Sequence, residues 1–484
     1  MRQQTMRDHL YRVISAQIKS GRYQHGQSLP SIRKMCEIYH VGMRTAQDTL
    51  KALKRDGYIQ MQERKCAVVC YEAHVSAPVE REIMGLLSHR KATLDVYKSM
   101  AALMPTLLSF CAEFISSITL DDLIRPVKRF DNKPYPDRRR ILSTVLNGIL
   151  ACAGNPLFID LYASLEVYSQ VPVWQGHEPP CEGELLRNGK NLAVRLECLK
   201  RNNTSQVHKQ ISPIFNCGGR EVERYMECLA KGWPNVQEDP AFAYAWNPVK
   251  GQAYLYAEVS RDILNKIGDG TYQDGDFLPP AKALASQYGV SLCTVQQALC
   301  KLSGFGLVHT INGKGTRVSL KEAGITPACL TDVRYKRDVF TYLYALQFLA
   351  VTIRPIALLA FERIDDAVIQ KVESELERPG HIPLTALLDA IREALPLQAL
   401  QVICSQVQKL LLWGNYFIFL QQGDSNANEL RAGCLSAILH LEARNAQDFA
   451  EVLQHCSIFV LQKMRNFLIR HGVKEAEAVR VPAH

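Results

Sequence analysis

SGRYQHGQSLPSIRKMCEIYHVGMRTAQDTLKALKRDGYI, residues 20–59, is the stretch on which the fold turns. Just ahead of and into it, LYRVISAQIKSGRY sets Leu10, Val13, Ile14 and Ile18 at helical spacing, and Gly21 stops that helix. GQSLP reads as a turn, with Ser28 placed to cap the next helix and Pro30 suited to its first turn. SIRKMCEIYH then gathers Ile32, Met35 and Cys36 on one face. After a short turn through Val41 and Gly42, MRTAQDTLKALKRDG points Ala46, Leu50 and Leu53 inward and Arg44, Gln47, Lys51 and Lys54 outward. Gly57 closes this third helix as a left-handed cap. YIQMQ and KCAVVCYE follow as two strands joined by the basic tip ERK.

The same pattern is written a second time. Shifted by 249 positions, residues 11–69 fall on 260–318 without a gap, and 18 of those 59 positions are identical. Average composition gives roughly one match in 15–20, so a periodic identity of this length marks a duplication. The long segments that follow each copy correspond less closely. LMPTLLSF with Asp121-Asp122 downstream resembles IRPIALLAF with Asp365-Asp366, and LECLKRNN, ending at Asn203, resembles ILHLEARN, ending at Asn445. The plan is small unit, long unit, small unit, long unit, over residues 1–72, 73–245, 250–320 and 321–484. The segment 234–251, with three prolines, reads as the linker before the second small unit.

Composition narrows the alternatives. The chain has 484 residues, 47% hydrophobic and 22% charged, which fits two to four globular domains with ordinary cores. Its 15 cysteines include no CxxC pair, so neither a disulfide scaffold nor a zinc ribbon is indicated. The opening MRQQTMRDHLYR lacks an apolar signal core, and the longest apolar run, Val339–Ile353, is interrupted by polar residues and stops at Arg354 before Pro355. A buried helix and a cytoplasmic protein without membrane contact are expected. No Gly-rich phosphate loop, nucleophile elbow or HExxH is present, so no enzymatic activity is expected.

Three short helices and a two-stranded hairpin make a winged helix-turn-helix, whose third helix is narrow enough for the major groove of duplex DNA. Residues 1–72 hold 13 Lys/Arg against 6 Asp/Glu, so most of the chain's net charge of +9 lies in this one unit. Residues 250–320 hold 7 against 5. At this point both copies resemble the DNA-binding domain of the GntR family of bacterial transcription regulators. The second copy carries the family's VSxxTVxxAL helix at Val290, Ser291, Thr294, Val295, Ala298 and Leu299, and its glycine-flanked wing at Gly313, Lys314 and Gly315.

That resemblance implies a set of DNA-contacting positions. In the first copy they fall on Arg33, Arg44, Thr45, Gln47, Arg64 and Lys65, and in the second on Lys282, Ser291, Thr294, Gln296, Lys314 and Arg317. The chain departs from the family where Met43 and Leu292 stand in place of one arginine, and Gln47 and Gln296 in place of another. Gln reads adenine through N6 and N7, so the preferred DNA differs from the family's usual one. The missing arginines also motivate an alternative, a protein-interaction module derived from a regulator that no longer binds specific DNA.

The long units repeat Leu, Ile, Ala and Val at helical spacing and read as bundles of five to seven helices. The fold class is thus mainly α, with two winged helix-turn-helix domains, each followed by an all-helical bundle. ILACAGNPLFIDLYASL and LECLKRNN resemble pieces of the helical effector domain of the FadR-like subgroup. The subgroup's metal ligands fall on Leu142, Leu146, Leu192 and Ile214, while His208, His440 and His455 lie out of register. No metal and no other cofactor is therefore expected, although a small-molecule effector pocket between helices remains open. Family members pair as homodimers on palindromic operators. Here the two bundles are expected to pair within one chain as a pseudo-dimer, with a further homodimer also conceivable.

Overall fold

A computed structural model describes residues 7, 10–11, 14–15, 18, 23, 25–39, 43–61, 66–71, 79–129, 135–169, 171, 189–201, 204–239, 242–248, 255–268, 270–304, 306–319, 333–376, 383–411 and 425–482. The protein is mainly helical and divides into two compact units, Met1–Gln252 and Ala253–His484. The finer joints expected near 72 and 320 lie outside the described residues.

The first unit opens with helical turns at Leu10, Tyr11, Ile14, Ser15 and Ile18, of which all but Tyr11 are buried. Next come α1 (Ile32–Tyr39), α2 (Met43–Arg55), β1 (Ile59–Gln60) and β2 (Val68–Val69). Ala46, Leu50 and Leu53 face inward as the period requires, against Leu10, Ile14, Leu29 and Met35. The start of α1 differs from the sequence reading. Ser31 supplies the cap, its Oγ accepting from the Lys34 amide at 3.2 Å. Ser28 sits instead in an isolated bridge with Val68, and Pro30 precedes the helix. At the end of α2 the Tyr58 amide donates to the Leu53 carbonyl and the Gly57 amide to that of Lys54, with Gly57 at φ 77°. This paired closure needs the left-handed backbone that glycine adopts without strain.

Among the described residues, seven α-helices follow in this unit: α3 (Val79–Ser88), α4 (Arg90–Ala112), α5 (Ser117–Val127), α6 (Tyr135–Ala151), α7 (Pro156–Tyr168), α8 (Gly189–Glu197) and α9 (Thr204–Gly232). Two of them, α4 and α9, pack along each other as the bundle's axis. Part of the segment read as a linker belongs to this bundle. Tyr244 and Trp246 are buried, the Trp246 indole donates to Asp160 at 2.7 Å, and Phe242 stacks on His89 at 3.6 Å. Aromatic burial outweighed the prolines, which only ruled out regular structure.

The second unit repeats the small fold with α10 (Leu255–Gly268), α11 (Ala281–Tyr288), α12 (Leu292–Gly304), β3 (Val308–Ile311) and β4 (Gly315–Val318). The 249-residue shift recurs in the hydrogen bonds. Gly26 donates to Val69 as Gly275 does to Val318, and Leu29 to Ala67 as Leu278 to Thr316. Ile59 pairs with Val69 as Val308 does with Val318. Gly306 and Leu307 close α12 as Gly57 and Tyr58 close α2. The remaining α-helices among the described residues are α13 (Val333–Ala360), α14 (Asp366–Leu376), α15 (Pro383–Ala394), α16 (Gln398–Leu411), α17 (Ser425–Glu442) and α18 (Ala446–Arg470), with α13 and α18 as the axial pair.

The weaker match between the long segments also has a structural counterpart, with one adjustment. Ser116 caps α5 through the Thr119 amide, and Asp365 caps α14 through the Val368 amide. Asp365 therefore answers to Ser116. Asp121 and Asp122 lie inside α5 and answer to neither member of the acidic pair. The apolar run at Val339–Ile353 is part of α13. The span Asp338–Arg363 is long and apolar enough to cross a membrane, yet 72% of its apolar window is buried inside the protein, as in a core helix.

The two small domains differ in how they are held. Among the described residues, the first has a core closed on itself, drawn from positions 10 to 69. In the second, one continuous apolar cluster runs from Val259, Ile263, Leu302 and Val318 into Tyr342, Leu346, Leu461 and Leu468 of the bundle. Lys301 of α12, only 4% exposed, is ion-paired with Asp338 of α13 and lies over the Tyr256 ring at 5.4 Å. Burial pulls the Lys301 ammonium below the usual lysine range, and Asp338 opposes that shift. Removing Asp338 would strand a buried charge, at a cost of about 3–5 kcal/mol. The equivalent cavities Leu53→Ala and Leu302→Ala each cost about 2–5 kcal/mol, but their reach differs. By hydrogen exchange, Leu53→Ala is expected to loosen amides of residues 7–71 alone. Leu302→Ala should also raise exchange in α13 and α18. Exchange confined to 255–319 in the latter variant would contradict a shared core.

Candidate nucleic-acid interface

Burial of one side of α2 dictates what its other side presents. With Ala46, Thr49, Leu50 and Leu53 inside, Met43, Arg44, Gln47, Lys51 and Lys54 stand exposed along one outer face. Arg33 is exposed on α1, and Thr45 is half-buried at the shoulder of α2. Lys51 lies 3.6 Å from Asp48, one turn earlier on the same exposed helix. Arg55 is spent locally. Its Nε donates to Asp56 at 2.9 Å, and the Tyr11 hydroxyl donates to the same carboxylate at 2.6 Å. Those two bonds, the arginine's first, hold the Asp56 carboxyl below the usual carboxylate range. Arg64 and Lys65, expected in the wing, lie outside the described residues.

The second reading face is built on the same backbone with different side chains. Gln296 is exposed at the position of Gln47, and Lys282 is exposed on α11. Lys314 is exposed at the tip between β3 and β4, where Gly313 and Gly315 adopt φ 76° and 118°. Arg317 is half-buried on β4. Ser291 and Thr294 are committed first to the helix itself. The Ser291 Oγ accepts from the Thr294 amide at 3.1 Å, and the two hydroxyls share a 2.8 Å hydrogen bond. Their leading role is to close the positive end of α12, where an incoming phosphate would meet the helix dipole.

Position by position along the outer face, Arg44 is answered by Cys293, Lys51 by Cys300, Lys54 by Ser303 and Arg55 by Gly304. The first face is cationic; the second is neutral, carrying Leu292, Cys293, Gln296, Gln297 and Cys300. Three further cations of the second domain have partners within the protein. Lys301 is paired with Asp338, Lys266 with Asp262 at 2.8 Å, and Arg261 donates to the Lys409 carbonyl at 3.4 Å. Lys51 and Lys54 are not among the positions the resemblance implies, although the 3.6-residue period puts both on the same outer face as Arg44 and Gln47.

Among the described residues no group of three or more His, Cys, Asp or Glu converges as a metal site would require. In the second bundle, Phe348, Thr352, Ile356, Leu388, Cys404 and Gln408 line a small apolar cavity. The Gln408 Nε2 is buried there without a hydrogen-bond partner.

Comparison with known proteins places both small domains. The family described as "Bacterial regulatory proteins, gntR family" matches residues 6–69 and 255–318. The Escherichia coli (strain K12) protein named "Probable fructoselysine utilization operon transcriptional repressor" is 36% identical over 81 residues, 16% of this chain and 33% of that protein. "Mannosyl-D-glycerate transport/metabolism system repressor MngR" of the same strain is 38% identical over 68 residues, 14% of this chain and 28% of its own length. "HTH-type transcriptional repressor NagR" of Bacillus subtilis (strain 168) is 35% identical over 65 residues, 13% of this chain and 27% of that protein. The chain thus spans about a third or less of the length of these curated relatives. The solved structure titled "E. coli McbR/YncC" aligns with 45% of this chain and 97% of that one, at 18% identity and a TM-score of 0.24.

The cap geometry gives a direct check on α12. Ser291→Ala removes the acceptor of the Thr294 amide and is expected to cost about 1 kcal/mol. Ser291→Asp should restore the cap yet weaken any anion bound at that helix end. Urea unfolding and anion binding, measured on the two variants side by side, should therefore move in different directions.

Proposed function

Taking as premise that this chain carries the gntR-family domain twice, we propose that it is a sequence-specific, DNA-binding transcription regulator whose two reading heads serve different parts of one operator. The single observation that carries this is the exposed outer face of α2, along which Arg44, Gln47, Lys51 and Lys54 line a helix of groove-entering width. Arg33, Arg44, Lys51 and Lys54 hold phosphates, and Gln47 reads a base edge with Thr45 beside it. Arg64 and Lys65 follow the backbone from the wing. In the second head Gln296 reads, Lys282, Lys314 and Arg317 position, and Ser291 and Thr294 offer the helix end to a phosphate.

The remainder of the proposal rests on the sequence resemblance and the helical build. The bundles are diverged relatives of the FadR-like effector domain, they pair within the chain as a pseudo-dimer, and the protein works in the cytoplasm. An effector is supported by the resemblance alone, since the apolar cavity beside Gln408, at about 20 Å³, is too small to hold one. The protein-interaction alternative draws on the neutral face of α12 and is separated from the lead reading by salt. Binding through phosphates weakens steeply as salt rises, with log K falling by about 0.9 per contact for each tenfold increase.

The test is DNA selected by the full chain from a random pool, then titrated with variants. Gln47→Ala should cost about 1–3 kcal/mol and relax the preference at one base pair. Lys51→Ala should weaken all sequences alike and lower the salt slope by about one. Salt-insensitive binding, unchanged when Arg33 and Arg44 are both replaced by Ala, would sink the regulator reading.

A further inference from the structure

Two thiols meet inside the second bundle. The helices α17 and α18 pack along each other across a short turn at Ala443, Arg444 and Asn445, which makes them antiparallel neighbours. Arg444 holds that turn at φ 53°, donating to the Ile364 carbonyl at 2.8 Å and to Asp366 at 2.6 Å. Asn445 caps α18 by accepting from the Asp448 amide at 3.3 Å. With the turn fixed, the register of the two helices is fixed. Cys434 stands as far ahead of Asn445 as Cys456 stands beyond it, so the pair lies at one level of the hairpin.

Both cysteines are buried, and their thiols share a hydrogen bond. Gly433 supplies the close approach. A Cβ at that position would stand 2.6 Å from the Cys456 Sγ, so any side chain there would displace the thiol or part the helices. The core itself does not require thiols here. Aligned through Asn203 and Asn445, the first bundle has Leu192 and Ile214 at the two positions and Asn191 at that of Gly433. The thiol pair and its glycine therefore belong to the second bundle and not to the duplicated plan. Hydrogen bonding from Cys434 stabilises negative charge on the Cys456 sulfur and lowers that thiol from its ordinary range, while the same bond, together with burial, raises Cys434.

We propose that Cys434 and Cys456 are a redox-sensing dithiol, closed to a disulfide by hydrogen peroxide or a similarly small hydroperoxide. Access selects the oxidant. Cys434 is 0% exposed and Cys456 6%, which admits a molecule little larger than water and shuts out a bulky disulfide such as oxidised glutathione. The Cys456 thiolate attacks one peroxide oxygen, an S–O bond forms as the O–O bond breaks, and the leaving hydroxide takes up the thiol proton as water. The Cys434 sulfur then attacks the Cys456 sulfenic acid, the S–S bond forms as the S–O bond breaks, and the second water carries off the Cys434 proton. Two thiols lose two electrons and two protons, and the peroxide is reduced to two waters. Closure ties α17 to α18, whose Ile458, Leu461, Met464 and Leu468 lie in the core shared with the second small domain.

The reduced full chain is treated with rising hydrogen peroxide, its remaining thiols are blocked with N-ethylmaleimide in denaturant, and links are mapped by peptide mass spectrometry with and without reductant. A reductant-sensitive link between positions 434 and 456 is expected, with slowed amide exchange across residues 425–470. Cys434→Ser should leave Cys456 as a sulfenic acid trapped by dimedone, Cys456→Ser should leave Cys434 a free thiol, and Gly433→Ala should slow the link. Oxidised glutathione at the same concentration should leave both thiols free; a link formed equally well by it overturns the small-oxidant assignment. Both thiols surviving in the folded, unaltered chain at peroxide levels that oxidise the exposed Cys293 and Cys300 overturns the proposal. So does a link that forms only after unfolding in urea.

Discussion

Burial of one side of the third helix in each small domain is the constraint from which the rest follows. Ala46, Leu50 and Leu53 in one copy, and Val295, Ala298, Leu299 and Leu302 in the other, lie against the preceding helices and the hairpin. A helix committed to the core on one side has no freedom about what it shows on the other. The glycine closures at Gly57 and Gly306 then return the chain into β1 and β3, and the loop pairing with β2 and β4 fixes the wing. Once those contacts form, an outer face is obligatory, and its chemistry is set by residues the core does not need.

Duplication allowed those free residues to diverge. The buried positions and backbone bonds are kept through the 249-residue shift, whereas the outer-face cations are replaced one by one by thiols, a hydroxyl and a glycine. The supports diverged as well. The first core is closed on itself, and the second continues into its bundle through Tyr342, Leu346 and the Lys301–Asp338 pair. A buried ion pair adds less stability than an apolar contact of the same size, but it permits few alternative registers. The reading helix of the second domain is thereby fixed to α13, the axial helix that also lines the small cavity beside Gln408. Displacement of α13 would be felt directly by α12.

Much of this was legible in the sequence, and the failures have physical causes. The third helix, its inward set and its Gly57 closure follow from a period of 3.6 and the steric cost of a positive φ, both local properties. The cap of α1 was misplaced because Ser28 and Ser31 are equally good acceptors in isolation, and a cross-chain bridge to Val68 decides between them. The segment 234–251 reads as a linker because its three prolines are visible locally, while the burial of Tyr244 and Trp246 within it depends on partners some eighty positions earlier. Ser291 and Thr294 were read as DNA contacts from resemblance, and the cap they form is the more immediate use of the same hydroxyls.

The most direct test of a two-headed reader is a hydroxyl-radical footprint of the full chain on a DNA fragment it has selected, read at single-nucleotide resolution alongside the protein-to-DNA stoichiometry. The account predicts that one chain protects two segments of dissimilar sequence, with protection at one of them lost when Gln47 and Lys51 are replaced and protection at the other retained. Protection of a single symmetric palindrome by two chains, through the first head alone, would contradict it.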